Sequence, residues 1–402
     1  RPAKDQQALV EHYRGLAPQT EPQRAELTRL EAEQKRLQNE APAILVAMSG
    51  SPRTVRVLPR GNWLDDSGAV VEPHIPAFLG ELAVEGRATR MNLENPLTAR
   101  VFVNRLWKLA FGDGLARNED DFGSQGALPT HPQLLDWLAA EFVESGWNVR
   151  HVLRLMVTSS AYRQSSQTDA ETRRRDPYNQ WLARQSRFRL DAETIRDAAL
   201  ASSGLLVAEI GGTSVKPYQP EGYWDHLNFP KRTWVADTGQ DQHRRGLYTY
   251  WCRTFLHPSL LAFDAPSREE CTVDRPRSNT PLQALVLLTD PTYVESARAL
   301  AERMLSARDE EAGGGANARD ERGIAQGFRL VLSREPRAEE LKIVQALLDK
   351  HRAEYEAAPE QAARVLSVGQ HVSPGEMEAA ELAAWTSVAR VLLNLHEAIT
   401  RA

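Results

Sequence analysis

With 402 residues, 42% of them hydrophobic, the chain is long enough for two or three domains and can bury a large core, so disorder is not the default reading. Its net charge is −5 with acids and bases mixed throughout, so no basic stripe marks a nucleic-acid binder. No window approaches eighteen unbroken apolar residues, so no transmembrane segment is expected.

Seven Lys stand against forty-two Arg, the residue better suited to forked hydrogen bonds with carboxylate, sulfate or phosphate. The ordinary explanation of that bias is a GC-rich genome. Cys252 and Cys271 form no CxxC or CxxCH, which leaves neither a zinc knuckle nor a covalent haem site, and whether the two pair is open. Arg1 in place of a starting Met, with no leader pattern after it, suggests a fragment or a processed product.

Residues 1–42 read as a helical connector. Within it, residues 21–40 form a charged helix with a thin apolar edge of Leu27, Leu30 and Leu37, suited to a helical hairpin or short coiled coil. Over 43–90 the pattern changes to a small β-element, with short strands at Ile44–Met48 and Thr54–Leu58 set among turn signals.

Helical signals dominate from 91 to 402. Asn95 caps and Pro96 opens a helix with Ala99, Val103, Leu106 and Ala110 on its apolar face, ending at Gly112 or Gly114. Thr130 to Gln133 spells a capping box for a helix that stops at Gly146, and another helix covers 149–160. Asp191 opens a helix that Gly204 closes. Thr280 to Gln283 is a second capping box, before a long apolar helix broken near Asp290-Pro291 and resumed to about Leu305. Residues 308–320 read as a flexible loop. Helices are expected at 321–332, 337–355 and 376–400, the last amphipathic through Leu382, Trp385, Val388, Leu392 and Leu395. The fold class is therefore mainly α: a multi-helix array with a small β-element near 43–80.

Residues 205–279 break this pattern as a long irregular insertion rich in Pro, Gly and aromatics. Ten of the chain's 28 aromatic residues fall between Tyr218 and Phe263. Long irregular segments in compact domains are usually functional or packed by their own side chains.

Several long motifs carry a family resemblance. They are NPLTARVFVNRLWKLAFGDGL (95–115), DFGSQGALPTHPQLLDWLAAEF (121–142), SSAYRQSS (159–166), RLDAETIRDAALASSGLL (189–206), PYQPEGYW (217–224), residues 248–291 from YTYWC to LLTDP, and AAWTSVARVLLNLHEAIT (383–400). In this order they resemble the planctomycete-type domain of unknown function 1553, found at the C-terminus of large cytochrome c-like proteins. The resemblance runs from about residue 90 to 400. The stretch Phe78–Asn92 looks shorter and less regular than the family's. The resemblance implies export to an extracytoplasmic location and a cytochrome-associated assembly, with neighbours that resemble sulfatases. It implies no catalytic residues. Any haem would sit on a domain outside this chain, so no cofactor is expected here.

Three groups of residues are candidates. The first is Asp264, Arg268, Glu269, Glu270, Arg275 and Arg277, leading into Asn279 at a helix start. Arginines around a helix N-terminus suit an anion such as a sulfated or carboxylated sugar; the plain alternative is an ion-pair network locking the loop to the core. The second is the aromatic stretch, above all Tyr218, Tyr223, Trp224 and Trp234, interleaved with Gln219, Glu221, Asp225 and His226. Its rings either stack on sugars or partners, or form the core of an irregular segment. The third is Asn104, Arg105, Trp107, Asp120, Asp121 and His131, where adjacent carboxylates near a histidine suit acid–base or metal chemistry, and structural capping is the plainer use. No HExxH, phosphate loop or GxSxG elbow is present, and no metal site is expected.

These features favour an interaction module that binds a partner protein or polysaccharide through 211–279. Two alternatives stay open: a polysaccharide hydrolase using two carboxylates from Asp225, Asp264, Glu269 and Glu270, and a scaffold with no ligand of its own.

Overall fold

A computed structural model describes residues 10, 12–40, 50–76, 81, 84–89, 96–123, 125–226, 231–309, 315–373 and 377–401. The expected strand Ile44–Met48, the cap Asn95, most of Phe78–Asn92 and the middle of the 308–320 loop lie outside these residues.

Helix α1 (Glu21–Glu40) forms as its charged pattern predicts, and Leu27, Leu30 and Leu37 stay exposed along it. The β-element is a two-stranded antiparallel ladder of β1 (Val55–Arg56) and β2 (Val70–Val71), with Val55 opposite Val71.

Two hydrophobic cores follow. The smaller is built by α2 (Pro96–Phe111), α3 (Pro132–Glu144) and α4 (Val149–Thr158) around Val103, Leu135, Leu138, Phe142 and Val152. The expected apolar face of α2 is buried, and Gly112 ends the helix with φ +90°. The capping box at Thr130 does not form. Pro132 takes the first helical position, His131 becomes the N-cap without a side-chain bond, and the Thr130 hydroxyl donates to the Leu115 carbonyl at 3.3 Å.

After α5 (Ala170–Arg175) and β3 (Phe188–Arg189), the larger core is assembled from α6 (Ala192–Ser203), the short α7 (Pro258–Ala262), α8 (Pro281–Thr289), α9 (Pro291–Asp309), α10 (Ala316–Leu332), α11 (Ala338–Ala357), α12 (Pro359–Leu366) and α13 (Ala379–Leu393). The Gln283 side chain accepts from the Thr280 amide at 3.3 Å, so the second capping box is used. Asp290-Pro291 separates α8 from α9, because proline cannot supply the amide that would continue the helix. Helix α10 starts five residues earlier than expected, at Ala316, which shortens the 308–320 loop.

Helix α13 corrects a further expectation. It is not amphipathic but central, with α9, α11 and α12 packed on it. Ala380, Ala383, Ala384, Ser387 and Ala389 are buried along with Leu382, Trp385, Val388 and Leu392. It also ends at Leu393 rather than near 400; Leu395 is only half-buried against the core. Gly323 of α10 lets the helices approach: a Cβ there would lie 2.6 Å from the Trp385 ring and 3.0 Å from the Met304 carbonyl.

The two cores meet where β3 pairs with β4 (Thr400–Arg401), Phe188 lying opposite Arg401. A Cβ at position 112 would come within 2.7 Å of Phe188, so the glycine serves both the helix end and this approach.

Candidate functional site

The irregular segment is pinned to the larger core by buried polar contacts rather than by regular structure. Arg196 of α6 is fully buried and donates to the carbonyls of Arg244 and Gln242 at 2.6 Å each. Arg244, itself buried, reaches back to the carbonyls of Thr213 (3.1 Å) and Gly211 and lies 4.1 Å over the Tyr248 ring. Asp197 accepts from the Gly246 amide at 2.6 Å. Single parallel bridges, Val207 with Arg244 and Val215 with Thr249, are all the sheet pairing among the described residues of this segment.

Beneath it, buried Glu295 of α9 accepts from the amides of Gln370 (2.7 Å) and His371 (2.5 Å), and its other oxygen lies 3.4 Å from His243. Burial alone would raise the Glu295 pKa, but His243 and the two amides outweigh it and hold it low. The Tyr218 hydroxyl is buried near Glu295; burial first, then that carboxylate, pushes its pKa up. Tyr218 thus turns its polar end inward. Its carbonyl accepts from Nε2 of the buried His257 ring at 2.9 Å, and burial pulls the His257 pKa down to about 4.

Among the described residues, no aromatic side chain between Tyr218 and Phe263 is fully exposed. Trp224 is buried and stacks on Trp234, ring centres 5.3 Å apart, with Phe255 edge-on at 5.2 Å. Tyr223 packs on Phe255 and donates to the Leu256 carbonyl at 3.2 Å. Trp234 anchors its ring nitrogen on the Pro217 carbonyl at 2.9 Å and meets Tyr250 edge-on. One edge of this ring stack stays open. Trp224, Trp234 and Tyr250 wall a cleft of about 690 Å³ together with Lys216, Lys231, Arg232, Thr233 and Asp225. Lys216 lies 5.6 Å from the Tyr250 ring centre.

The arginines of 264–279 do not pair with the acids of their own loop. Arg275 binds Glu193 of α6 at 2.8 Å and lies 3.7 Å from Asp191, and Arg268 lies 3.7 Å from Glu193 and stacks over Trp251 at 3.7 Å. Asp264 accepts from the Ser278 amide and hydroxyl, both at 2.7 Å. Asp264 and Arg268 both hold left-handed backbone, with φ +62°. Glu269, Glu270, Arg277 and Asn279 are exposed, and Asp225 lies apart from them in the ring-walled cleft. The four candidate carboxylates are therefore not gathered across one cleft.

The third group serves local structure. Buried Asn104 exchanges two bonds with Ala116, at 2.8 and 2.9 Å, Asp121 accepts from the Gly123 amide at 2.7 Å, and Trp107 stacks on Phe111. Asp120 is exposed, and the His131 ring lies 3.1 Å from the Thr130 hydroxyl. Arg105 is exposed and faces a different cleft, next to buried Glu119.

Sequence reasoning missed Arg196, His243, His257 and Glu295, whose inward direction has no sequence signal, and Lys216, Lys231, Arg232 and Tyr250 of the cleft. Two of only seven lysines lying within sixteen residues of each other, beside the aromatic cluster, was the signal available for the cleft. Cys252 is buried, Cys271 is exposed, and both are free thiols. Among the described residues no cluster of His, Cys, Asp and Glu is placed to hold a metal ion, and no helix is long and apolar enough to cross a membrane.

No curated protein and no solved structure shows significant similarity to the chain. A family model, described as a protein of unknown function (DUF1553), matches residues 89–348. The match ends inside α11, whereas the core it belongs to continues through α13. With well over half of its length inside that match, the chain belongs to the DUF1553 family of proteins of unknown function.

Proposed function

We propose that the chain is an extracytoplasmic interaction module whose ring-walled cleft binds an acidic glycan, within a cytochrome-associated assembly. One observation carries the glycan reading: Trp224, Trp234 and Tyr250 line a single cleft whose other side chains include three cations, Lys216, Lys231 and Arg232. Aromatic faces stack on the C–H faces of sugar rings, and cations at the rim select carboxylated ones. The extracytoplasmic placement and the assembly rest on the family resemblance alone.

Calorimetric titration with oligogalacturonate and with neutral cello-oligosaccharide tests the reading. The acidic ligand should bind and the neutral one bind at least tenfold more weakly. Trp234→Ala should cost tenfold or more in affinity, as ring truncation at a binding hot spot does. Equal or absent binding of both ligands overturns it. Asp225 is the one carboxylate among the described residues lining this cleft, so a hydrolytic version of the reading would rest on it alone. Release of reducing ends, abolished by Asp225→Asn, is its signature.

A further inference from the structure

A second cleft, of about 720 Å³, opens where the two cores meet, between the end of α2, the β3–β4 ladder and residues 271–277. Six cationic side chains line it. Two are neutralised: Lys108 by Glu119 (3.1 Å) and Asp274 (2.6 Å), and Arg275 by Glu193 (2.8 Å). The other four, Arg105, Arg189, Arg277 and Arg401, make no ion pair within 4 Å among the described residues.

Three of these four bond only to neutral acceptors. Arg189 donates to the Gln283 side chain, Arg277 to the Gly112 carbonyl at 3.5 Å, and Arg401 to the Ala110 carbonyl. Among the described residues Arg105 makes no side-chain hydrogen bond and feels Glu119 only through space. The contacts to Gly112 and Ala110 place Arg277 and Arg401 at the C-terminus of α2. That end carries about half a negative charge, too little to balance four guanidinium groups. Each guanidinium has five N–H donors, and in each of the four most remain unused.

The arrangement is held in place. Phe188 lies against both Arg277 (5.0 Å) and Arg401 (5.5 Å), and Arg401 also lies 4.5 Å over the Tyr162 ring. Gly112 admits the Phe188 ring where any Cβ would collide with it. Rings that hold like-charged groups side by side, with the donors left over, are what a fixed anion site needs.

We infer that this cleft is a second binding site, distinct from the ring-walled one, for a polyanion bearing tetrahedral oxyanion groups, either sulfate esters or phosphates. Forked guanidinium donors match such oxyanions two bonds at a time. The volume leaves room for the molecule that carries them. The inference uses none of the observations behind the glycan cleft.

The test uses the full chain in chloride buffer and three probes: inorganic sulfate, inorganic phosphate and a sulfated oligosaccharide. Binding is followed by calorimetry and by protection of Cys271, which lines this cleft and is exposed, from a neutral maleimide. At least one probe should bind, slow Cys271 modification severalfold, and weaken with added salt. Tighter binding of the sugar-borne sulfate than of the free anions identifies an ester-bearing ligand, and the reverse a free oxyanion. Arg105→Gln removes a side chain with no structural bond, so it should weaken binding about tenfold with unchanged Tm. Arg277→Gln should weaken binding to a similar degree, with a small fall in Tm from its lost contacts to Gly112 and Phe188, and Trp234→Ala should leave binding intact. Failure of all three probes at millimolar concentration overturns the inference. So does binding that survives both arginine variants, or binding that Trp234→Ala abolishes.

Discussion

Arg196 of α6 and Arg244 of the irregular segment are joined by a 2.6 Å bond from the Arg196 guanidinium to the Arg244 carbonyl, with both side chains buried. Arg196 serves Gln242 in the same way, and Arg244 then ties down Thr213 and Gly211. A charged side chain is thus the main fastener of a segment that has almost no ladder of its own. Burial pulls the Arg196 pKa below the usual arginine range, with Tyr293, Asp197, Asp290 and Glu295 nearby to oppose that pull.

Replacing Arg196 by Met keeps the bulk and strands two buried carbonyls. Each stranded acceptor costs about 1–3 kcal/mol, so a loss of roughly 3 kcal/mol or more is expected in urea unfolding. Early proteolytic cleavage within 205–279 should accompany it. A variant as stable and as resistant as the wild type would mean that the fastening lies elsewhere.

The stability of the larger core should depend on pH through two opposing groups. His257 is held to about 4 by burial, so as pH falls from about 6.5 toward 4 the unfolded chain takes a proton that the folded one refuses. That contribution is complete above about 6.5 and lost on acidification, by up to roughly 3 kcal/mol. Asp290 is raised to about 6, chiefly by burial of its carboxyl, so its contribution is complete below about 4 and lost as pH rises through 6. Between pH 4 and 6 the two nearly cancel. Asp290→Asn keeps an acceptor for the Thr292 amide and removes one side of the balance. It should be more stable than wild type at pH 8 by up to about 2 kcal/mol, and should lose stability steeply below pH 6. A variant weaker than wild type at pH 8 contradicts this sign.

Gly323→Ala tests the close approach of α10 to α13. The added methyl would meet Trp385 at 2.6 Å and the Met304 carbonyl at 3.0 Å, and the backbone atom cannot swing aside. Overpacking of this kind costs about 1–3 kcal/mol, although alanine is the better helix former. A rise in Tm would show that the helices separate freely.

The two thiols should differ sharply in reactivity. Cys271 is exposed and Cys252 is buried. In native buffer a thiol reagent should label one site, mapped by mass spectrometry to Cys271, and label both only in denaturant. Fast native labelling of Cys252 would contradict its burial beside Arg232 and Thr254.

Much of the helical framework was legible in local chemistry. Gly112 and Gly204 ended their helices at the expected places, and Gln283 closed its capping box. Thr130 was misread because Pro132 fixes the first helical residue, leaving His131 as the cap. Helix α13 was misread because spacing arguments weigh large residues; the alanines and serine between Leu382 and Leu392 were its real sign of burial on every side. The loop arginines pair with the core rather than within their loop. Their partner Glu193 lies some eighty residues earlier, and no spacing rule reaches that far. The second cleft is less legible still, since Arg105 and Arg401 lie 296 residues apart in the sequence.

Because α13 fills the middle of the larger bundle, the helices made before it surround a hollow until residues 379–393 arrive. Until those residues emerge from the ribosome, the earlier helices form an unfinished, sticky shell exposed to chaperones. The same geometry warns against cutting the gene at residue 348, where the family match stops. Such a truncation would yield a sheath without its axle, and aggregation rather than a smaller working domain.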